Sequence, residues 1–243
     1  MSSNSSQKII FLDLAHNDGK GTWSLNPWKT RFVLNFKGLD YETEFLEYPQ
    51  LKTRIEPHVP DAPAYTSPTI RYTDGTYIID SKVIAQAIEK DHPEPSLHLD
   101  SPILPKVEEL LGKAGPALRP EYIPAIPKRL LNQASVPYWH ETREATVGLP
   151  LDEFAKTKGG DRAWSEAEPY LKQVTELLKE NPEGPYFAGK AVTYTDFVWA
   201  GFLIFWRRIG DDKFYELLRR TGDGKVHEDL LKALEPWSKR STY

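Results

Sequence analysis

Residues 24–31 of the chain are Ser24-Leu25-Asn26-Pro27-Trp28-Lys29-Thr30-Arg31, and this stretch lies where a strand pattern gives way to a helix pattern. The strand is predicted over 8–14 and the helix over 27–38, with Asn26 as its N-cap and Pro27 at its first position. A serine at a helix entrance faces free backbone N–H groups and the positive end of the helix dipole, which stabilise an anion. Because the chain contains no cysteine, a thiolate held there has to come from a substrate.

The composition is that of a globular chain with no general attraction to polyanions. The 243 residues are 40% hydrophobic and 27% charged, with a formal net charge of -4, so no nucleic-acid partner is expected. No apolar run approaches the roughly 20 residues that a membrane span needs, and the polar start, 1–7, lacks a signal-peptide core. We therefore expect a cytoplasmic protein without a membrane partner. The six histidines show no metal-ligand spacing, and no metal site is predicted.

The first 92 residues alternate strand and helix patterns. After the first helix, strands are predicted over 41–47, 69–72 and 77–79, with an Asp-Gly turn at 73–76. A last helix begins near Ser81 and ends before Pro93. The proline-rich segment 48–67 is predicted as a long loop or short helix. The order, βαβ followed by ββα, matches the topology of a thioredoxin-like domain.

After a proline-rich linker at 92–102, the pattern becomes helical throughout. Prolines break the chain between 115 and 127. Helices are predicted over 106–114, 128–132, 138–146, 163–179, 195–209, 212–220 and 226–234. The predicted fold is therefore α/β plus all-α, with a thioredoxin-like domain at 1–92 and an all-helical domain at 103–243.

Three motifs, in this order, resemble the cytosolic glutathione S-transferase family. The opening stretch resembles the serine-type active-site segment, with a tryptophan four residues after the serine. Ser67-Pro68 followed by Asp80-Ser81 resembles the family's cis-proline and its acid–serine pair. Tyr186-Phe187-Ala188-Gly189 followed by Thr193-Tyr194-Thr195-Asp196 resembles a signature of the second domain, which we assign to folding as a variant capping box. The long loop at 48–67 is similar to that of the fungal etherase-related group, the fungal-specific class A transferases.

The resemblance implies a role for Ser24 in catalysis. A free thiol has a pKa of about 8.5 and is mostly protonated at neutral pH. Each pKa unit of lowering corresponds to roughly 1.4 kcal/mol of preference for the thiolate. The Ser24 hydroxyl and the helix amides would supply this preference to the thiol of glutathione, the expected co-substrate. Asn26 is the rival donor to sulfur, and either residue can instead be a plain helix cap.

The other motifs are expected to bind the rest of glutathione. If the bond before Pro68 is cis, which only X-Pro bonds adopt at low cost, the N–H and C=O of Ser67 would pair with the cysteinyl backbone. Ser81 would hold the γ-glutamyl carboxylate at a helix N-terminus, with Asp80 near the amino group. The alternatives are a trans proline and a plain capping pair.

The glycine carboxylate of glutathione needs a cation or an amide donor. Lys52, Arg54 and His58 in the long loop are available, and the sequence does not choose among them. The electrophile pocket is expected between the domains, with aromatic walls. Its candidate residues are Trp23, Trp28, Tyr122, Tyr138 and Trp139, whereas Trp206 lies in an apolar run that favours the core.

Three functions remain open at this point. The first is a glutathione transferase, similar to etherases, that attacks aromatic, aryl-ether or phenolic electrophiles. The second is a ligandin-type protein that sequesters such molecules with little turnover. The third is a non-catalytic interaction domain of the same fold, since fold alone does not fix function. The resemblance further implies a homodimer.

Overall fold

The computed structural model describes residues 8–19 and 21–242. Its N-terminal part is built on a four-stranded sheet of order β2-β1-β3-β4. The strands are β1 Ile9–Leu14, β2 Tyr41–Leu46, β3 Thr69–Arg71 and β4 Tyr77–Ile79, and the helices of this part are α1 Leu25–Phe36, α2 Tyr48–Ile55 and α3 Ser81–Asp91. β1 runs parallel to β2, and the other neighbouring strands are antiparallel. The predicted thioredoxin-like topology is confirmed.

The C-terminal part is helical throughout the described residues. Its helices are α4 Leu104–Ala117, α5 Arg119–Tyr122, α6 Ile126–Arg129, α7 Val136–Val147, α8 Leu151–Lys158, α9 Asp161–Lys179, α10 Tyr194–Ile209, α11 Asp211–Arg220, α12 Gly224–Ala233 and α13 Glu235–Ser238. No helix or strand lies between Asp91 and Leu104, where the division of the chain at 92 and 103 is proposed. None of the helices in the described part of the chain is long and apolar enough to cross a membrane.

Several predicted bounds were wrong. α1 begins at Leu25 with Ser24 as its N-cap residue, so Asn26 lies inside the first turn and is not the cap. Pro27 is tolerated there because the first N–H groups of a helix have no intrahelical partner. The segment 48–67 contains α2, whose start is fixed by a hydrogen bond from the Glu47 N–H to the Gln50 side chain (2.8 Å).

The helical part also differs in detail. α4 continues through Pro116 to Ala117, and 115–127 holds α5 and the start of α6. The predicted helix at 128–132 was wrong, because α6 already ends at Arg129. α8 was not predicted. Short helices of this kind offer too few turns to show a periodicity.

α1 and α10 form the main contact between the two parts. The ring of Phe32 stacks on that of Phe197, with centroids 5.2 Å apart. Gly201 allows close approach, since a Cβ there would lie 3.0 Å from the Leu25 carbonyl oxygen. α10 is itself fixed at its start by Asp196, whose carboxylate accepts from the N–H groups of Thr193 (2.7 Å) and Phe187 (2.9 Å). The folding role predicted for this capping motif is confirmed.

The C-terminal segment returns to the N-terminal part and contacts the residues before Ser24. Asn35 Nδ2 donates to the carbonyl oxygens of Trp237 (2.6 Å) and Arg240 (3.0 Å). The N–H of Thr22 donates to the Ser241 carbonyl at 3.0 Å. Gly21, beside Thr22, has a φ of +94°, and a Cβ there would overlap the main chain of Ser241.

We expect Gly21→Ala to destabilise the protein more than Gly75→Ala does. Both glycines have positive φ, +94° and +91°, but a Cβ at Gly75 meets no atom within 4 Å. The shared backbone strain costs about 1 kcal/mol, and the overlap with Ser241 adds about 1–3 kcal/mol. Urea unfolding of both variants measures the difference. Equal losses would show that the C-terminal segment does not constrain the residues before Ser24.

The buried His227 side chain should make the stability of the fold depend on pH. It is fully buried, accepts from Trp199 Nε1 (2.9 Å) through Nδ1 and lies 2.8 Å from the Thr175 hydroxyl through Nε2. Burial lowers the pKa of His227 to about 4. The unfolded chain therefore binds the proton first, and stability falls as the pH falls from about 6.5 toward 4.

Between pH 7 and pH 5, protonation of His227 in the unfolded chain should lower the free energy of unfolding of the wild type by about 2 kcal/mol. The stability advantage of the wild type over His227→Gln should therefore shrink by that amount over the same range. The contribution of Asp196, whose pKa burial raises to about 6, is common to both proteins and cancels in the difference. A constant difference in the free energy of unfolding would contradict the prediction.

Candidate active site

Ser24 lies at the entrance of α1 with its hydroxyl available. Its backbone is extended, with φ -81° and ψ 145°, and its side chain makes no capping hydrogen bond. The Ser24 carbonyl accepts from the N–H of Trp28 at 3.2 Å, which begins the helix. The hydroxyl is thus next to the free N–H groups of the first turn, where an anion is stabilised.

Asn26 lies close to Ser24 and is exposed. Both residues line the same cavity. The geometry therefore keeps Asn26 as a rival donor to an anion at this helix entrance, although it is not the helix cap.

A buried ionic network holds the segment before Ser24. The carboxylate of Asp13, at the end of β1, accepts from the Thr22 hydroxyl and from Arg31 Nη2 (3.3 Å). Arg31 Nε donates to the Thr22 hydroxyl at 2.5 Å. All three side chains are buried. Burial raises the pKa of Asp13, and the Arg31 charge opposes that shift.

Ser67 and Pro68 join through a cis peptide bond, as the motif predicts. The Ser67 side chain donates to the Leu12 carbonyl (3.1 Å) and the N–H of Asp80 donates to the Pro68 carbonyl (3.2 Å). Among the described residues, the main-chain N–H and C=O of Ser67 have no hydrogen-bond partner. An extended peptide can therefore pair with them. A second cis bond, Glu94-Pro95, was not predicted.

Asp80 and Ser81 begin α3. Asp80 has a positive φ of 82°, and its Oδ1 accepts from the N–H groups of Lys82 (2.8 Å) and Val83 (3.2 Å). Ser81 is buried next to the Tyr194 hydroxyl of α10 and opposes the rise that burial causes in the Tyr194 pKa. The capping interpretation of Asp80 is correct. Because Asp80 engages the N–H groups of Lys82 and Val83, a ligand carboxylate at this entrance would have to bind at Ser81.

Lys29, near the start of α1, is a charged residue to which the sequence assigned no role of its own. Burial lowers the pKa of its ammonium group, and the carboxylates of Glu108 and Asp80 oppose that shift. Its place in the first turns of α1, shortly after Ser24, was the only available indication.

A cavity of about 220 Å³ lies next to Ser24 and receives walls from both parts of the chain. Trp23, Tyr122 and Trp139 line it, as predicted for an electrophile pocket. Its lining residues are Trp23, Ser24, Leu25, Asn26, Tyr48, Leu111, Gly115, Tyr122, Ile126, Trp139, Phe202 and Phe205.

Two of the predicted wall residues lie elsewhere. Trp28 is buried and packs on Phe32, with ring centroids 5.4 Å apart. Tyr138 is outside the lining and stacks on Tyr48 at 5.8 Å. Trp206 is fully buried, so its core interpretation is confirmed. Sequence reasoning missed Tyr48, Phe202 and Phe205, because a ring count does not show which helix face meets the cavity.

The three loop cations are not among the residues that line this cavity. Arg54 pairs with Glu44 at 2.9 Å and donates to the Tyr77 hydroxyl at 2.7 Å. The His58 ring stacks on Tyr77 with centroids 4.1 Å apart. Lys52 is exposed and lies 3.6 Å from Glu56 on its own helix. Arg54 and His58 thus hold α2 to the sheet, and Lys52 has the most freedom to reach a ligand.

No group of three or more His, Asp or Glu side chains in residues 8–19 and 21–242 is arranged to hold a metal ion. The site instead offers a hydroxyl and backbone amides for an anion, a free peptide edge at Ser67 and an apolar aromatic cavity. These features suit the binding of a short peptide thiol beside an aromatic molecule.

Comparison with known families identifies this combination. The family model for the glutathione S-transferase C-terminal domain matches residues 108–237, and the model for the N-terminal domain matches residues 23–91. The chain belongs to the glutathione S-transferase family. The predicted family resemblance is confirmed over both parts of the chain.

The most similar structures include fungal glutathione transferases. GSTFuA3 from Phanerochaete chrysosporium is 26% identical, with a TM-score of 0.82 and coverage of 96% of this chain and 98% of that one. The glutathione S-transferase CsGST63524 of Ceriporiopsis subvermispora, solved with glutathione, is 28% identical, with a TM-score of 0.81 and the same coverage. These neighbours confirm the predicted resemblance to the fungal group.

A curated relative is also fungal. The glutathione S-transferase-like protein ustS of Aspergillus flavus is 26% identical over 224 residues, which covers 84% of this chain and 81% of the relative.

In this transferase, the buried network predicts unequal effects of two similar substitutions. Thr22→Val removes a hydroxyl that joins Asp13 to Arg31, whereas Thr43→Val removes only an acceptor 3.0 Å from Arg31 Nη2. We expect a loss of about 2–3 kcal/mol for Thr22→Val and about 1 kcal/mol for Thr43→Val. Urea unfolding measures both, and equal losses would show that Thr22 does not join the pair.

Proposed function

We propose that this protein is a glutathione transferase in which Ser24 stabilises the thiolate of bound glutathione for attack on aromatic electrophiles. The observation that carries the proposal is the position of Ser24. Its side chain makes no capping bond at the entrance of α1, and it lines a cavity with six aromatic rings. The nucleophile and its acceptor can therefore meet at this residue.

Glutathione would extend from Ser24 along the edge of the N-terminal domain. The free N–H and C=O of Ser67 would pair with the cysteinyl backbone. The γ-glutamyl carboxylate would lie at the entrance of α3 beside Ser81, with Asp80 directed to the amino group. For the glycine carboxylate we favour Lys52, because Arg54 and His58 are engaged with Glu44 and Tyr77.

The reaction would be a substitution at an electrophilic carbon. The thiolate forms the C–S bond, and the leaving group departs with the bonding electrons. The rings around the cavity favour flat aromatic acceptors, which stack edge-to-face or offset on such walls. An aryl ether would release an aryloxide, which is the etherase-like form of this chemistry.

A homodimer in the cytoplasm is part of the same proposal and rests on the family alone. Two other functions are outcomes of its test. Binding of phenolic ligands without turnover would favour a ligandin, and failure to bind glutathione would favour a non-catalytic interaction domain.

We expect Ser24→Ala to raise the pKa of the bound glutathione thiol by about one unit and to lower kcat/KM about tenfold near neutral pH. Ultraviolet absorbance of the thiolate, titrated with and without protein, measures the pKa. Stability should change little, because the hydroxyl makes no capping bond. Asn26→Ala is the matched control. If only Asn26→Ala raises the thiol pKa, Asn26 is the donor and the role of Ser24 is refuted.

A further inference from the structure

A cation lies against the aromatic wall of the cavity. The guanidinium carbon of Arg143, on α7, is 4.2 Å from the centroid of the Trp139 ring and 5.5 Å from that of Tyr48. Both rings line the cavity, and they meet edge-to-face at 5.3 Å. The charge is thus held beside the space that the second substrate would occupy.

Arg143 is not neutralised by a carboxylate. Within the described part of the chain its bond is from Nη1 to the Thr142 hydroxyl at 2.8 Å, and it forms no ion pair. Its cation–π contacts hold the guanidinium plane in place. Arg143 is not itself among the residues that line the cavity, so its fixed charge would act on a carboxylate there across the two rings on which it packs.

The Arg143 charge also acts on a third residue of the cavity wall, Tyr122. Burial raises the pKa of Tyr122, and the charges of Arg119 and Arg143 oppose that shift. The Arg143 charge therefore acts on the Tyr122 hydroxyl as well as on the rings of Tyr48 and Trp139.

The nearby carboxylates are engaged elsewhere. Glu47 accepts from Asn132 Nδ2 (2.6 Å) and from the Ser135 hydroxyl. Glu144 lies 2.9 Å from His140 Nδ1 and Glu121 pairs with Lys213 at 2.5 Å. The lining itself contains no acidic residue. Among the described residues, no carboxylate is paired with Arg143 and none lines the cavity.

We propose that the cavity prefers aromatic electrophiles that carry a carboxylate, and that Arg143 determines this preference. The inference rests on the proposed transferase function. The aromatic ring would lie among Tyr48, Tyr122 and Trp139, and the carboxylate would be directed to the guanidinium. The apolar walls strengthen this attraction, because they reduce the local dielectric constant.

A matched pair of electrophiles tests the preference. One is the chlorodinitrobenzoate whose chlorine lies para to the carboxylate, and the other is its methyl ester. With either molecule the glutathione thiolate attacks the carbon that bears chlorine, the C–S bond forms, and chloride leaves with the bonding electrons. The readout is the ratio of kcat/KM for acid over ester, divided by the same ratio for the uncatalysed reaction.

We expect this ratio to exceed one in the wild type and to fall about tenfold in Arg143→Gln, the effect of losing one partly screened charge pair. Arg143→Lys should retain most of the preference, whereas a purely structural stacking role would be lost in both variants. Arg207→Gln is the matched control. Arg207 lies 4.2 Å from the Phe214 ring, which does not line the cavity, so the ratio should not change.

The variant Gly115→Leu tests whether the electrophile binds in this cavity. Gly115 lines the cavity, and a Cβ there meets no atom within 4 Å. A leucine side chain would occupy the cavity and should lower kcat/KM for both electrophiles at least tenfold, while glutathione still binds. Unchanged activity would place the electrophile elsewhere and overturn the inference.

The experiment separates a failure of the proposed transferase function from a failure of the proposed carboxylate preference. If neither electrophile is conjugated although the protein is folded, the proposed function itself fails. If both are conjugated and the ratio is the same in the wild type and in Arg143→Gln, the transferase stands and the preference for a carboxylate is refuted.

Discussion

The buried pair of Asp13 and Arg31 is the constraint on which the site depends. Both side chains are fully buried, and an unpaired buried charge costs several kcal/mol, so neither group can move without the other. Asp13 lies near the end of β1, Arg31 lies on α1, and Thr22 is hydrogen-bonded to both. This geometry leaves the short segment from Thr22 to Ser24 little freedom. The position of the Ser24 hydroxyl is therefore set by the core of the N-terminal domain, although the hydroxyl itself makes no capping bond.

The same helix also joins the two domains. Arg31 on α1 is hydrogen-bonded to Asp13 of β1. Phe32, also on α1, stacks on Phe197 of α10, and Leu25 lies close to Gly201. Because α1 is fixed on both sides, its entrance is at a defined distance from the rings of α10. The cavity forms at this junction, with Ser24 from one domain and Phe202 and Phe205 from the other. A rigid helix entrance beside a shared cavity is the arrangement that a thiolate and its acceptor require.

The sequence predicted the N-terminal domain better than the cavity, for a physical reason. The strands, the Asp-Gly turn, the cis bond at Pro68 and the start of α3 each depend on a few neighbouring residues. Short helices such as α5 and α8 are instead stabilised by tertiary packing, which local patterns do not report. The wrong cap at Asn26 has the same origin. Two plausible capping residues lie two positions apart, and the buried network that selects Ser24 involves Asp13, which is distant in sequence.

Substrate recognition depends on the less predictable elements. Stabilising a thiolate takes a hydroxyl and the backbone dipoles of a helix entrance, and one short segment of chain supplies both. The cavity proposed for the acceptor is instead lined by Tyr48 of α2, Tyr122 of α5 and Trp139 of α7, and α7 also carries Arg143. These rings come from short helices outside the central sheet, so the pocket can differ between proteins that share the fold. The class of reaction therefore follows from the N-terminal domain, whereas the choice of electrophile depends on how these helices place rings and charge around the cavity.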